Sequence, residues 1–495
     1  MTNELNAGPP ERPLLRGRRW LVLATSLAIT VPCFWHRQVE AGDLGSHVYN
    51  AWLAQLIEKG QAPGLYLVRQ WDNVLVDWML LHTANVFGFT AAGKIVAAGC
   101  VLVFFWGVFC LVAAVSGRTP WVLAPCIAML AYGYSFNMGF LNYYVSIGLA
   151  ALSLALLGRG RGVRRAVGAA LVPLVVLAHP LGLAWLIAAG VYVGLRGALP
   201  KWWKLCVPAT AVSFLFFVHW YLANRVKFPV DWTHEPFYLR NGADQLTLYG
   251  LRYSWLTWAA LGFGVVCVIA ELTSRAREVS FWKAVWLPAE LYFVSVLGAA
   301  LMPENLRPSE TGGWIGLLAS RLTTLVAISG LGLLSCLRPR KWHLVGFGAC
   351  ALIFFSFLYQ DTLILNDMEA NAERLVAELP FGTKVLSTIW AQPESRITFI
   401  SHFVDRACIG RCFSYANYEP ASGQFRVRVW LGSPVASAVE DDAEDMQAGE
   451  YEVQDQDLPM KEIYQCDARD PTKLCIRDLA GGEKNGRLGP APPDE

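Results

Sequence analysis

Three ionisable side chains gather in the stretch 40-EAGDLGSHVYNAWLAQL-56: Glu40, Asp43 and His47. A carboxylate can take the proton of an attacking hydroxyl, and a second acid nearby can assist or orient the first. Asp43 is the first choice for that base, with Glu40 as the second acid. Asp43 and His47 are four residues apart and share a face if the chain turns helical at Leu44 or Gly45. Such a pair also offers two ligands to a divalent metal, which are too few to define a site. The competing reading makes Asp43 an N-cap of the following helix and His47 an ordinary interface residue. A second chemistry is signalled by Arg321 in the apolar run 314-WIGLLASRLTTLVAISGL-331. A guanidinium there is costly unless paired or watered, and it suits an anion whose charge grows during a reaction. Its structural alternative is a salt bridge to Glu290. His179, in 179-HPLG-182, is a further anion contact or simply part of a turn. Arg252, Arg69 and the loop residue Trp71 complete the candidates.

These residues need a frame, and composition supplies it. The chain has 495 residues, 55% of them hydrophobic and only 16% charged. Soluble domains carry about 25% charged residues, so this chain reads as a membrane protein. Its net charge of +2 offers no basic excess for a nucleic acid. A bilayer core is crossed by about 20 apolar residues in a helix. Eleven segments qualify: 20–35, 91–116, 120–136, 139–157, 166–179, 181–195, 205–222, 254–271, 284–301, 314–337 and 342–359. The first follows the basic 16-RGRR-19 but lacks a cleavage site, so it reads as an uncleaved anchor. Segments 166–179 and 181–195 are short and meet at His179-Pro180, as a tight hairpin or a partly re-entrant pair.

Orientation follows from basic residues. With the N-terminus cytoplasmic, the inner connections hold Arg118, 158-GRGRGVRR-165, 196-RGALPKWWK-204, 274-SRAREVSFWK-283 and 338-RPRK-341. The outer ones hold Glu40, Asp43, Glu58, Asp72, Asp77, Asp231, Glu235, Asp244, Glu304 and Glu310. An odd number of spans then places the C-terminus outside. In the first outer loop, 36–88, the runs after Asp43 and at 74-VLVDWMLLHTANVF-87 read as amphipathic helices lying in the interface plane, the first stopped by Gly60. They would form a platform reached by a lipid from the side and a polar substrate from above.

The division is therefore a membrane domain over 1–359, an outer soluble domain over 360–480 and a disordered tail over 481–495. The outer domain opens with a helical pattern, 361-DTLILNDMEANAERLVAEL-379, followed by strand-like 384-KVLSTIW-390 and 425-FRVRVW-430. The charge run 440-EDDAEDMQAGEYE-452 reads as solvated. Eight of the twelve Cys lie in apolar segments, where packing explains them; Cys408, Cys412, Cys466 and Cys475 lie in the outer domain. In an oxidising compartment those four suit two disulfides, with the local pairing Cys408–Cys412 and Cys466–Cys475 as one of three connectivities. The stretch 401–429 is dense in aromatic, basic and Cys residues, and fits an acceptor surface or a disulfide-stapled core. No phosphate-binding GxGxxG or GxxxxGK[ST] pattern is present.

An acid soon after the first span, then D-x-x-x-H, an amphipathic helix and the G-x-x-P of 60-GQAP-63, resembles the first outer loop of GT-C superfamily glycosyltransferases. The segments 139-GFLNYYVSIGLAAL-152, 179-HPLG-182 and 379-LPFGTKVL-386 are similar to features of the same superfamily. The paired-acid form of that loop, an adjacent DD or DE, is absent here, since Glu40 and Asp43 are separated by two residues. The resemblance implies an α-helical polytopic membrane protein of about 11 transmembrane helices, GT-C-like, with a small extracytoplasmic α/β C-terminal domain. It implies a protein of the plasma (bacterial inner) membrane that takes a sugar from a polyprenyl-phosphate-linked donor. The acceptor is a glycan, lipid or protein on the outer side. Asp43 would then be the base, with Glu40 and His47 beside it. Arg321, His179, Arg252, Arg69 and Trp71 would bind substrate. No cofactor is implied beyond a possible divalent metal. Two other classes stay open: a transporter or lipid flippase, which would carry intramembrane charges near the midplane, and a non-catalytic scaffold whose outer domain binds a partner.

Overall fold

The computed structural model describes residues 19–232, 240–307, 315–467 and 469–486. Residues 16–18 of the basic N-terminal run, the loop acids Glu235 and Glu310, Trp314 and the tail 487–495 lie outside the described residues. The helical part runs α1 (Arg19–Thr30), α2 (Leu44–Glu58), α3 (Leu75–Phe87), α4 (Phe89–Ser116), α5 (Ala124–Ala131), α6 (Tyr134–Asn137), α7 (Leu141–Arg159), α8 (Val163–Ala170), α9 (Val172–Ala178), α10 (Pro180–Ala198), α11 (Cys206–Asn224), α12 (Leu251–Arg275), α13 (Val279–Leu301), α14 (Leu318–Leu334) and α15 (Lys341–Ala377). Short strands β1 (Leu65–Leu67), β2 (Val230–Asp231) and β3 (Asn305–Leu306) interrupt it. Seven of the described helices are long and apolar enough to cross a membrane: α4, α7, α10, α11 with its preceding turn, α12, α13 and α15. α14 and the first apolar helix are shorter.

Close packing centres on α4 and α7. A side chain at Gly107 would meet the carbonyl oxygen of Gly148 at 2.1 Å, so the two backbones touch. Phe104 stacks on Tyr144 beside this contact, with ring centroids 4.2 Å apart. Two expected spans are broken. Segment 120–136 divides into a 3₁₀ turn at Trp121–Leu123, α5 and α6. The Asn137 amide then donates to the Tyr132 carbonyl at 2.7 Å, satisfying a group the break releases. Segment 166–179 divides at Leu171, just before Pro173. His179 alone, in extended conformation, joins α9 to α10.

The last span and the expected helix 361–379 are one continuous element, α15, so a single rod crosses residue 360 and carries the outer domain. That domain continues with β4 (Thr383–Thr388), α16 (Phe403–Ala407), β5 (Cys412–Ser414), β6 (Val427–Val429), α17 (Glu440–Ala448), β7 (Met460–Gln465) and β8 (Leu474–Asp478). Its sheet has the order β5-β4-β7-β8, parallel between β4 and both β5 and β7 and antiparallel at β7–β8. Cys408–Cys412 and Cys466–Cys475 are the two disulfides. The acidic run forms α17, which keeps Asp441, Glu444 and Asp445 exposed while it buries Ala443 and packs Met446 into this sheet's apolar cluster. Residues 481–486 are ordered against the domain at their end, where Asn485 and Gly486 are buried and Asn485 bonds to Thr388 and Met446.

The first outer loop departs most from expectation. α2 does not lie as an interface helix with one wet face. Tyr49, Trp52, Leu53 and Leu56 join a cluster with Phe403, Val404 and Phe413 of the outer domain. Leu44, Val48 and Ala51 join the membrane-domain core. Both faces are covered because the outer domain closes over the loop, and β1 pairs antiparallel with β6 in the register Leu65↔Val429. Loop and outer domain therefore share one side of the membrane, which requires an even number of crossings between them.

Closure depends on missing side chains. A Cβ on Gly45 would lie 2.2 Å from the His402 carbonyl oxygen, and one on Gly139 (φ +82) would lie 2.4 Å from the Asp43 nitrogen. Gly45→Ala is expected to lower the stability of the purified protein by about 1–3 kcal/mol through overpacking. Gly194→Ala, which meets nothing within 4 Å, is the control. Thermal melting of the two variants side by side checks this.

Candidate active site under the outer domain

Asp43 sits at the N-terminus of α2, wedged between the 137–139 turn and the outer domain. Its backbone nitrogen donates to the Met138 carbonyl at 3.2 Å, and its carbonyl accepts from His47 at 2.9 Å. It occupies the N-cap position, but its side chain makes no capping hydrogen bond. The carboxylate instead points into a buried cluster. Oδ1 lies 3.4 Å from His402 Nε2, and Tyr418 makes a side-chain hydrogen bond to the same carboxylate. His47 and Arg321 are near enough for their charges to act on it. Burial raises the Asp43 carboxyl above its ordinary range, opposed first by His402 and then by His47 and Arg321.

Arg321 lies one turn inside α14, and its guanidinium sits 4.1 Å over the Phe140 ring. Its Nε is buried without a hydrogen-bond partner. Glu290, its expected structural partner, is bound instead by Arg196 at 2.7 Å and by the Tyr192 hydroxyl at 3.0 Å. His179 is within reach of the Arg321 charge and packs edge-on to Tyr143 with centroids 5.6 Å apart. Its Nδ1 accepts from the Leu181 nitrogen at 3.1 Å, so His179 also caps α10. The turn reading of this residue is the conformation seen.

His47 is brought beside Asp43, in a cluster of its own. Nδ1 lies 3.0 Å from Asp77 Oδ1 on α3 and 3.3 Å from Glu419 Oε1 of the outer domain. Burial pulls the imidazole down, but the Glu419 and Asp77 carboxylates outweigh it and raise it to about 10. Burial raises Glu419 to about 8 against the pull of His47, and Asp77 and Asp43 add to the rise. The polar stripe of α2 completes the seam. Ser46 Oγ donates to Glu419 at 3.0 Å, and the Asn417 amide donates to Asn50 at 3.3 Å. Among the described residues, no group of three or more His, Cys, Asp or Glu has the geometry to hold a metal.

Glu40 belongs to a different arrangement. Arg406 of α16 donates to Glu369 Oε1 at 2.7 Å, to Glu40 Oε2 at 3.2 Å and to the Val39 carbonyl at 3.0 Å. Burial and the facing Glu369 carboxyl raise Glu40, against the pull of Arg406. Two carboxyls around one guanidinium tie the start of the loop to α15 and α16. Removing Arg406 would leave buried charge uncompensated, a loss of about 3–5 kcal/mol in comparable pairs.

The remaining candidates lie elsewhere. Arg252 is bound to Asp361 and Gln360 of α15. Arg69 is exposed, and Trp71 is 74% exposed in the loop after β1. The residues that reading the chain missed are His402, Tyr418, Glu419 and Asp77. His402 and Asp405 stand three apart in 402-HFVDR-406, a spacing that could have marked them. Glu419 opens the turn-rich 419-EPASG-423, and no local pattern links it to His47.

No family model matches the chain, and no curated protein matches it. Among solved structures, it is similar to the crystal structure of ArnT from Cupriavidus metallidurans in the apo state. That similarity has a TM-score of 0.41 and 12% identity, and covers 92% of this chain and 94% of the other.

The His47 cluster makes a pH prediction. Its folded-state value stands above the ordinary imidazole value of 6.5, so its contribution to stability is complete below that pH and is lost as pH rises through about 10. Melting temperature of the wild-type protein should fall between pH 7 and pH 10, and His47→Gln should flatten that fall. Parallel slopes for the two proteins would remove His47 as the cause.

Proposed function

We propose that this protein is a membrane glycosyltransferase of GT-C type. It transfers a sugar from a polyprenyl-phosphate-linked donor to a hydroxyl of a glycan, lipid or protein on the extracytoplasmic side, with its N-terminus cytoplasmic. The observation that carries the reading is the meeting of Asp43 and Arg321. A buried carboxylate from an outer loop and a buried guanidinium from the start of an apolar helix are close enough to interact, yet among the described residues no ion pair ties Arg321 to an acid. One group suits a base and the other a clamp for a lipid phosphate.

The chemistry balances with these parts. The acceptor hydroxyl gives its proton to the Asp43 carboxylate as its oxygen bonds to the anomeric carbon. The bond from that carbon to the phosphate oxygen breaks, and polyprenyl phosphate leaves with the electron pair. Its growing charge meets Arg321, where a preorganised cation acts most strongly. His179, neutral as a hydrogen-bonding group, stands beside the phosphate. Glu40 holds the loop through Arg406 rather than assisting Asp43. The transporter reading gains nothing from the ion pair in the helices, because Arg196 and Glu290 neutralise each other.

The purified protein, given polyprenyl-phosphate sugars of several kinds with hydroxyl acceptors, should release polyprenyl phosphate and form glycoside. Asp43→Asn should reduce the rate by about 10²–10⁴-fold, the range for a lost general base. Arg321→Gln should reduce it by about 10²–10³-fold, as loss of one transition-state donor does. Melting each variant beside the wild type separates loss of chemistry from loss of folding. Full activity in Asp43→Asn would take that residue out of the mechanism.

A further inference from the structure

A base buried this deeply has a problem. Removing water favours the neutral carboxylic acid, which cannot accept a proton. The segment 402-HFVDR-406 answers it from outside the membrane domain. His402 is 2% exposed, and its Nε2 and the facing Asp43 Oδ1 are both buried without a hydrogen-bond partner. They stand 3.4 Å apart. On the other side of the ring, Nδ1 lies 2.8 Å from Asp405 Oδ2, and the Ser414 hydroxyl donates to the second oxygen of Asp405. The imidazole is thus fixed at one nitrogen and aimed with the other, the arrangement by which a carboxylate sets the orientation of a histidine. Phe399 and Tyr418 pack on the ring, with centroids 5.8 Å and 5.7 Å away.

We infer that His402, held by Asp405, is a positioning residue for the base: the outer domain supplies the imidazolium that keeps Asp43 ionised and aimed. This rests on the reading of Asp43 as the base. The groups facing His402 are Asp405 on its own helix, Asp43 before α2, and Glu419 and Tyr418 after β5. Burial lowers its imidazole, but Asp405, Asp43 and Glu419 together raise it above the ordinary value. Its surroundings thus favour the charged ring over the neutral one. Of the groups opposing the burial of Asp43, it is the foremost. The Arg406 ties to Glu40 and Glu369 hold the same segment in place, so the catalytic site is complete only when the outer domain is docked.

The sign is definite. Removing the positive charge must raise the carboxyl of Asp43 further, so the acid limb of the rate profile must move to higher pH. In full-length protein in nanodiscs, with whichever polyprenyl-phosphate sugar supports turnover, His402→Gln should shift the acid limb of kcat/KM upward by about one pH unit or more. Activity should largely recover at high pH. Asp405→Asn should shift the same limb in the same direction by less. A loss equal at every pH, or an unmoved limb, overturns the inference, because a purely structural role lowers the rate without moving the profile.

A second measurement needs no substrate. In protein labelled with nitrogen-15 in its histidine rings, the His402 signal, assigned by its loss in His402→Gln, should titrate above the ordinary imidazole value. Its titration should fall to lower pH in both Asp405→Asn and Asp43→Asn. A ring that titrates no higher than the ordinary value, or titration indifferent to Asp43→Asn, overturns the inference even if His402→Gln fails to fold in quantity. Wild-type protein that transfers no sugar, while His402 titrates as described, overturns the glycosyltransferase reading and leaves the His402–Asp43 contact standing.

Discussion

Gly45 lies against the His402 carbonyl with no room for a side chain between them, so α2 and the 402–406 segment meet backbone to backbone. At that distance the 402–406 segment can place His402 against Asp43 and Arg406 against Glu40 at once. A buried ion pair adds little net stability over a well-packed apolar one, because each charge loses its water. What the pairs around α16 supply is register. Sliding this helix by one residue along α2 would leave Glu40, Glu369, Asp43 and Arg406 buried without partners. The apolar contacts of Tyr49, Trp52 and Leu53 with Phe403 and Val404 supply attraction, and the charges allow it one alignment.

The continuous helix α15 explains how the domain that follows it can be placed so closely against the helical part. A flexible connection after the last span would cost entropy each time the domain docked. A rigid one sets the approach in advance. Glu369 lies on that rod in its extramembrane part, so the rod itself contributes to the cluster around Arg406. On the other side, β1 and β6 join loop and domain through backbone hydrogen bonds. The first outer loop is thereby held at Glu40 and again at Leu65, on either side of Asp43 and α2.

Much of the membrane part was legible because its signal is local. Long apolar runs gave α4, α7, α10, α11, α12 and α13 close to where they lie, and the local disulfide pairing is the observed one. The misreadings share one cause. α2 reads as amphipathic, since Ser46, His47 and Asn50 form a polar stripe. Nothing in the stripe says that its partner is Asn417 and Glu419 rather than water. Most acids of 440–452 are exposed as their charge suggests, but the run hid a helix, because the apolar contacts of Met446 are with distant strands. Glu290 was a reasonable partner for Arg321 by position along the bundle, yet Arg196 takes it. Asp43 could be singled out from its neighbours in sequence. Its electrostatic surroundings could not, because His402 and Tyr418 come from residues more than three hundred positions away.

Chemistry at the edge of a bilayer places opposite demands on one site. A phosphate leaving group gains most from Arg321 where water is scarce, since charges interact strongly at low dielectric. The same scarcity drives an aspartate toward its neutral form and disables it as a base. Another cation from the bundle would have to be buried in apolar surroundings, at a cost Arg321 already incurs. A cation delivered by a soluble domain escapes most of that cost. Asp405 and Ser414 stabilise His402 within the domain, and docking then presents it already oriented. On the reading proposed for this protein, the outer domain is therefore part of the base, and the bundle supplies the anion clamp.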